Sequence, residues 1–214
     1  LQNLYRAGMN VVRLNTAHQN IEQAKKVIDN VRTVSGDIAI LVDTKGPEVR
    51  TTLIENPFHV EKGECLFLTG DMDLKMEGKL IHVSYPYFAD DIKTGDRILI
   101  DDGDVELVVV EKYAHYLEVM ATNEAMIKDR KSVNVPGANL KLQSLSDKDK
   151  LFINFAIDNN VDFIAHSFVR NKEDVIAVQQ LLDARQSKIK IIAKIENQEG
   201  VDNIDEILDY AYGV

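Results

Sequence analysis

Lys194 and Glu196 lie two residues apart where the apolar run around Ile189, Ile191, Ile192 and Ile195 gives out. Arg13 and Asn15 repeat that spacing after Val11-Val12. Asp43, Thr44, Glu48 and Arg50 follow a third apolar run, Ile38 to Val42. Two-residue spacing aims side chains to one side of an extended chain. The residue types suit a phosphorylated acid and a divalent ion. Arginine offers forked donors to phosphate oxygens, and a hard cation takes one or two carboxylates plus substrate oxygens. A nearby lysine can counter charge that develops on an oxygen during group transfer. The same residues could instead form a ring of structural ion pairs, which perturbs titration equally well.

The elements that must hold these groups are legible from periodicity. Short strands are predicted near residues 11, 40, 164 and 192, each with polar residues at its end. Helical spacing runs from Ile21 to Thr33, from Asp147 to Asn159 behind Ser146, and from Asn171 onward. From about Thr51 the pattern changes to short strands between Lys62-Gly63, Thr69-Gly70, Glu77-Gly78, Thr94-Gly95 and Asp102-Gly103, with no clear helix. The expected organisation is α/β: residues 1–51 and 136–214 as parts of a (β/α)8 barrel, and 52–135 as an inserted all-β domain. No G-x-G-x-x-G follows any strand, and chemical residues at several strand ends favour a barrel over an open sheet. Four strands cannot close a barrel, so more chain is expected at both ends. The opening Gln2 to Gly8 reads as a helix already under way, as if cut.

Bulk properties narrow the chemistry. A formal net charge of -10 over 214 residues argues against nonspecific nucleic-acid binding. No apolar run reaches the length of a membrane span. The single cysteine, Cys65, fits a reducing cytoplasm and is expected as a small core residue. His166, between Ala165 and Ser167, is expected to pack, and Asp101 or Asp102 to shape a turn with Gly103.

The strings Gly8 to Asn15, Asp43-Thr44-Lys45-Gly46-Pro47-Glu48-Val49-Arg50, Asp101-Asp102-Gly103, Val133 to Gly137, Asp162 to Arg170 and Ile192 to Asp205 closely resemble pyruvate kinase, in order and spacing, across nearly the whole chain. That resemblance implies barrel strands two to five with the β domain inserted after the third. It implies phosphoryl transfer from phosphoenolpyruvate to ADP, giving pyruvate and ATP, in the last step of glycolysis. Magnesium (or manganese) and potassium would be required, and the complete protein would be a homotetramer. By position, Arg13 would hold the substrate phosphate, Lys194 would sit by the transferring group and the enolate oxygen, and Glu196 would bind the divalent metal. Asn15, Asp43 and Thr44 would surround potassium. Asn15, Arg50, His18 and Lys131 would face the nucleotide, and the β domain would act as a lid.

Departures accompany the resemblance. Ala17 removes a hydroxyl the family uses on potassium, Ser132 stands where glycine is usual, and Gln143-Ser144 replace Pro-Ala. The family's second metal carboxylate is expected beyond Val214, so the chain alone is expected to be inactive. Competing readings are a metal-dependent barrel aldolase and a non-catalytic nucleotide or phosphate sensor.

Overall fold

The computed structural model describes residues 1–138 and 140–214, which form two compact units. The first is Leu1–Pro47 with Gln143–Val214, and the second is Glu48–Leu142. In chain order the first unit opens with α1 (Gln2–Arg6), β1 (Val11–Asn15), α2 (Ile21–Val34) and β2 (Ala39–Asp43). The second contains β3 (Thr51–Thr52), β4 (Phe58–Val60), β5 (Cys65–Thr69), β6 (Leu80–Val83), α3 (Phe88–Asp91), β7 (Arg97–Ile100), a 3-10 turn at Asp101–Gly103, β8 (Val105–Lys112), β9 (Leu117–Ala121), β10 (Ala125–Ile127) and β11 (Val133–Asn134). The chain then returns with α4 (Asp147–Asp158), β12 (Phe163–His166), α5 (Lys172–Ala184), β13 (Lys190–Ala193), α6 (Gln198–Asp202) and α7 (Ile204–Leu208).

In the first unit the strands form one parallel sheet in the order β1-β2-β12-β13. Each strand is the next neighbour of the one before it in this unit. The order never reverses, as it would at the switch point of a doubly wound sheet. Leu14, Ile40, Val42, Ile164 and Ile191 form its buried core with Ala24, Ile28 and Val31 of α2, Phe152 and Ile153 of α4, and Val175, Val178 and Leu182 of α5. The starts of the three long helices are set by side chains. Asn20 and Gln23 close a capping box on α2, Ser146 and Asp149 close one on α4, and Asn171 caps α5. Parallel register brings Asn15 beside Asp43, Asp43 beside Ala165, and His166 beside Ala193. The carboxyl ends of all four strands therefore emerge along one edge.

The second unit is a seven-stranded, mostly antiparallel sheet in the order β11-β7-β8-β9-β5-β6-β3, with β10 and β4 paired separately. Alternation sets its core: Leu66, Leu68, Ile81, Ile98, Ile100, Leu107, Leu117 and Val119 are buried. The expected absence of helix here needs correction, because α3 is a four-residue helix. It has no side-chain cap and only Phe88 and Ala89 buried, too little for a helical period to show. Cys65 also departs from expectation. It is exposed at the start of β5, because pleating sends its neighbours Leu66 and Leu68 inward and Cys65 out. No helix among the described residues is long and apolar enough to cross a membrane.

Candidate active site

Asp43 is the centre of the polar cluster at the strand ends of the first unit. It closes β2, is 2% exposed, and both its carboxylate oxygens are in use. Arg13 Nε donates to Oδ2 at 2.6 Å. Lys194 Nζ donates to Oδ1 at 3.1 Å. Lys194 also donates to Ser167 Oγ at 2.8 Å and lies 3.3 Å from Glu196 Oε1. Two cations, from β1 and from just after β13, thus converge on one buried carboxylate, and Glu196 adds the second negative charge beside Lys194. Burial of an unpaired charge is costly, so Asp43 requires its cationic partners.

The neighbouring groups are fixed just as closely. Ser167 N–H donates to Thr44 Oγ1 at 3.2 Å, and Ser167 Oγ donates to the Thr44 carbonyl at 2.7 Å. His166 Nδ1 lies 3.1 Å from the same Thr44 hydroxyl. His166 was expected only to pack; it is buried but also bonded. Burial holds its imidazole below the ordinary 6.5, although Asp149 and Asp174 pull the other way. Phe168, with φ 58°, turns its N–H onto Glu196 Oε2 at 3.0 Å. Fully buried Asp149 receives the N–H groups of Lys45 and Gly46 at 3.0 and 3.3 Å, which shapes the loop after Thr44.

Among the residues singled out by sequence, the first unit brings together Arg13, Asp43, Thr44, Lys194 and Glu196. Asn15 is in register with Asp43, and its Oδ1 accepts the Ala17 N–H at 3.0 Å. His18 is exposed on the turn after β1, two residues before Asn20, the N-cap of α2. Arg50 and Lys131 belong to the second unit. Arg50 pairs with Glu48 through Nε at 2.9 Å and Nη2 at 2.8 Å. Lys131 Nζ meets Asp101 at 2.9 and 3.0 Å, while Ser132 Oγ donates to Asp102 at 3.1 Å. Asp101 and Asp102 do shape a turn, both with positive φ.

Sequence reasoning gave no role to Ser167, Phe168 or Asp149. Ser167 directly follows β12, the kind of position that marked Lys194, and that signal could have found it. Asp149 looked like an ordinary third helical residue. The left-handed backbone of Phe168 leaves no trace in residue type.

Whether metals suit this site follows from its donors. No group of three or more His, Cys, Asp or Glu is arranged for a metal among the described residues. That speaks against a closed protein cage of carboxylates, thiolates or imidazoles. It is compatible with magnesium, which keeps water and substrate oxygens beside one or two carboxylates. Glu196 fits such an ion. Asn15, Asp43 and Thr44 offer only oxygen, the donor type that hard cations take.

Comparison with known proteins agrees with the strings quoted above. The family model for the pyruvate kinase barrel domain matches residues 1–214. The chain belongs to the pyruvate kinase family. Its four parallel strands are strands two to five of a (β/α)8 barrel, and the second unit is the inserted, predominantly β domain. It is 49% identical over 216 residues to a pyruvate kinase of Borreliella burgdorferi, covering 100% of this chain and 45% of that protein. It is 43% identical over 222 residues to one from Geobacillus stearothermophilus, covering 100% of this chain and 38% of that protein. A third, from Schizosaccharomyces pombe, is 40% identical over 218 residues, with 97% and 43% covered. The chain spans less than half the length of these relatives.

Proposed function

We propose that the whole protein containing this chain transfers a phosphoryl group from phosphoenolpyruvate to ADP, giving pyruvate and ATP. The observation that carries this reading is the pairing of Arg13 and Lys194 on the two oxygens of Asp43, which holds two cations at one strand edge. In the reaction, the bond between the enol oxygen and phosphorus breaks and a bond to a terminal ADP oxygen forms. The enolate left behind then takes a proton at carbon. Phosphoryl transfer depends mainly on positioning and on countering charge. Arg13 would hold the departing phosphate. Lys194, restrained by Asp43, Ser167 and Glu196, would counter the charge left on the enol oxygen. His18, Arg50 and Lys131 would meet the nucleotide phosphates.

Glu196 would hold a magnesium or manganese ion, with the Phe168 N–H orienting its carboxylate. Asn15, Asp43 and Thr44 would hold potassium, sharing Asp43 with Arg13 and Lys194 and without help from Ala17. Bound there, the ions would neutralise phosphate and carboxylate charge. The protein would work in the cytoplasm as a homotetramer, and the 214-residue chain alone would not turn over.

The direct test is a coupled assay of the whole natural protein with phosphoenolpyruvate, ADP and magnesium. Absence of pyruvate under every monovalent salt would reject the reading. Lys194→Met should remove most of the rate and leave ADP binding. A non-catalytic sensor would bind ADP and never transfer, and an aldolase would cleave a carbon–carbon bond instead.

A further inference from the structure

His166 carries a contradiction that packing does not resolve. It is 1% exposed, and its Nε2 has no hydrogen-bond partner among the described residues. A buried polar atom left unpaired is unfavourable, and such an exception asks for a compensating role. An aliphatic side chain would fill the space without that penalty. The compensation lies at the other ring nitrogen, Nδ1, which is 3.1 Å from Thr44 Oγ1.

Thr44 is held from two sides. His166 Nδ1 meets its hydroxyl, and the Ser167 N–H donates to the same oxygen. Ser167 in turn donates its hydroxyl to the Thr44 carbonyl and accepts the Lys194 ammonium. The backbone repeats the link, since Lys194 N–H donates to the His166 carbonyl at 2.9 Å. A short chain of contacts therefore runs from the imidazole through Thr44 and Ser167 to Lys194. We propose that His166 is a positioning residue: by fixing the Thr44 hydroxyl it holds Ser167 where Ser167 receives and aims the Lys194 ammonium. This works with either imidazole tautomer, because a hydroxyl can donate to Nδ1 or accept from it.

The test uses the whole natural protein and three substitutions. His166→Asn places an amide atom, either O or N, where Nδ1 stood. His166→Gln places its amide nearer Nε2, and His166→Leu keeps only volume. The first readout is acylation of Lys194 by an N-hydroxysuccinimide ester, followed by peptide mass spectrometry with exposed Lys26 as internal reference. The second is kcat against KM, and the third is the melting temperature.

With melting temperatures near the parent's, Leu and Gln should change Lys194 labelling several-fold. They should lower kcat roughly tenfold with a smaller change in KM, the scale seen when a supporting partner is lost. Asn should stay close to the parent in both. Parent-like labelling in a folded Leu variant would overturn the proposal. So would an Asn variant as impaired as Leu, or failure of both Leu and Gln to fold while Asn folds, since the role is then structural. The kinetic arm rests on the function proposed above; the labelling arm does not. A parent that makes no pyruvate would reject that function and still leave the labelling comparison decisive.

Discussion

Lys194 Nζ and Asp43 Oδ1 meet at 3.1 Å across 151 residues of sequence, from strands that are not neighbours. β12 lies between β2 and β13 and supplies Ser167, which follows it and bridges the two. A carboxylate that reaches over an intervening strand sets the position of the ammonium more firmly than a local pair would. Asp43→Asn should therefore harm activity more than stability. Arg13 and Lys194 side chains are 60% and 30% exposed and can regain water, so the stability loss should be about 1–3 kcal/mol. The loss in kcat/KM should be on the order of a hundredfold, as for a misplaced catalytic group. Urea unfolding and steady-state kinetics on the whole protein measure the two. Near-parental kcat/KM would mean that Asp43 does not position Lys194.

Asp149 makes a second prediction. Its Oδ1 accepts two N–H groups of the loop after Thr44, and its Oδ2 accepts the N–H and hydroxyl of Ser146 at 3.0 and 2.6 Å. One carboxylate thus caps α4 and holds the site loop. Asp149→Ala leaves several of these donors unsatisfied in a place with no exposure, and should destabilise by roughly 3 kcal/mol or more. Asp149→Asn should lose less, because one amide oxygen still accepts. Denaturation midpoints that fall equally for both would refute the clamp.

Asp174 gives a pH dependence. Burial pushes its carboxyl up, but Arg170, Ser144 and the Arg170 N–H overcome that and hold it below the ordinary 3.8. A depressed carboxylate contributes stability that is fully present above its unfolded value. That stability is lost as pH falls through the folded value. The acid limb of the stability curve, below about pH 4, should be shallower in Asp174→Asn than in the parent. Ser144→Ala removes the 2.5 Å bond to Oδ1 and should cost about 1–2 kcal/mol at neutral pH. Melting temperatures from pH 3 to 7 check both expectations, and parallel curves for parent and Asp174→Asn would overturn the first.

Much of the fold was readable because each signal was local. Ile21 to Val31 repeats at helical spacing, Ser146 and Asn171 cap where they should, and the runs at residues 40 and 192 carry the β-branched residues of a buried strand. The site was half readable for the same reason. Arg13, Asp43, Lys194 and Glu196 stand at strand ends, and parallel register gathers such ends without further information. What stayed hidden depends on contacts between distant segments. Nothing local ties Asp149 to the loop 103 residues before it, or Ser167 to Thr44. Cys65 went wrong because residue type suggests burial while strand phase decides it.

Gly46 separates backbone strain from site geometry. Its φ is +71°, and a Cβ there would come within 2.8 Å of the Ser167 carbonyl oxygen and 3.0 Å of the Ser167 Cβ. Gly137 has a similar φ, +85°, with nothing among the described residues within 4 Å of an added Cβ. An alanine at Gly137 should incur only the left-handed penalty, roughly 1 kcal/mol, and leave kcat alone. At Gly46 the same penalty applies, and Ser167 must also move. Because Ser167 receives Lys194 at 2.8 Å, Gly46→Ala should cost about 2–4 kcal/mol and lower kcat as well. Measuring unfolding and turnover for both variants decides the matter. Equal kcat in Gly46→Ala and Gly137→Ala would mean that the close approach of Gly46 to Ser167 serves packing and leaves the lysine undisturbed.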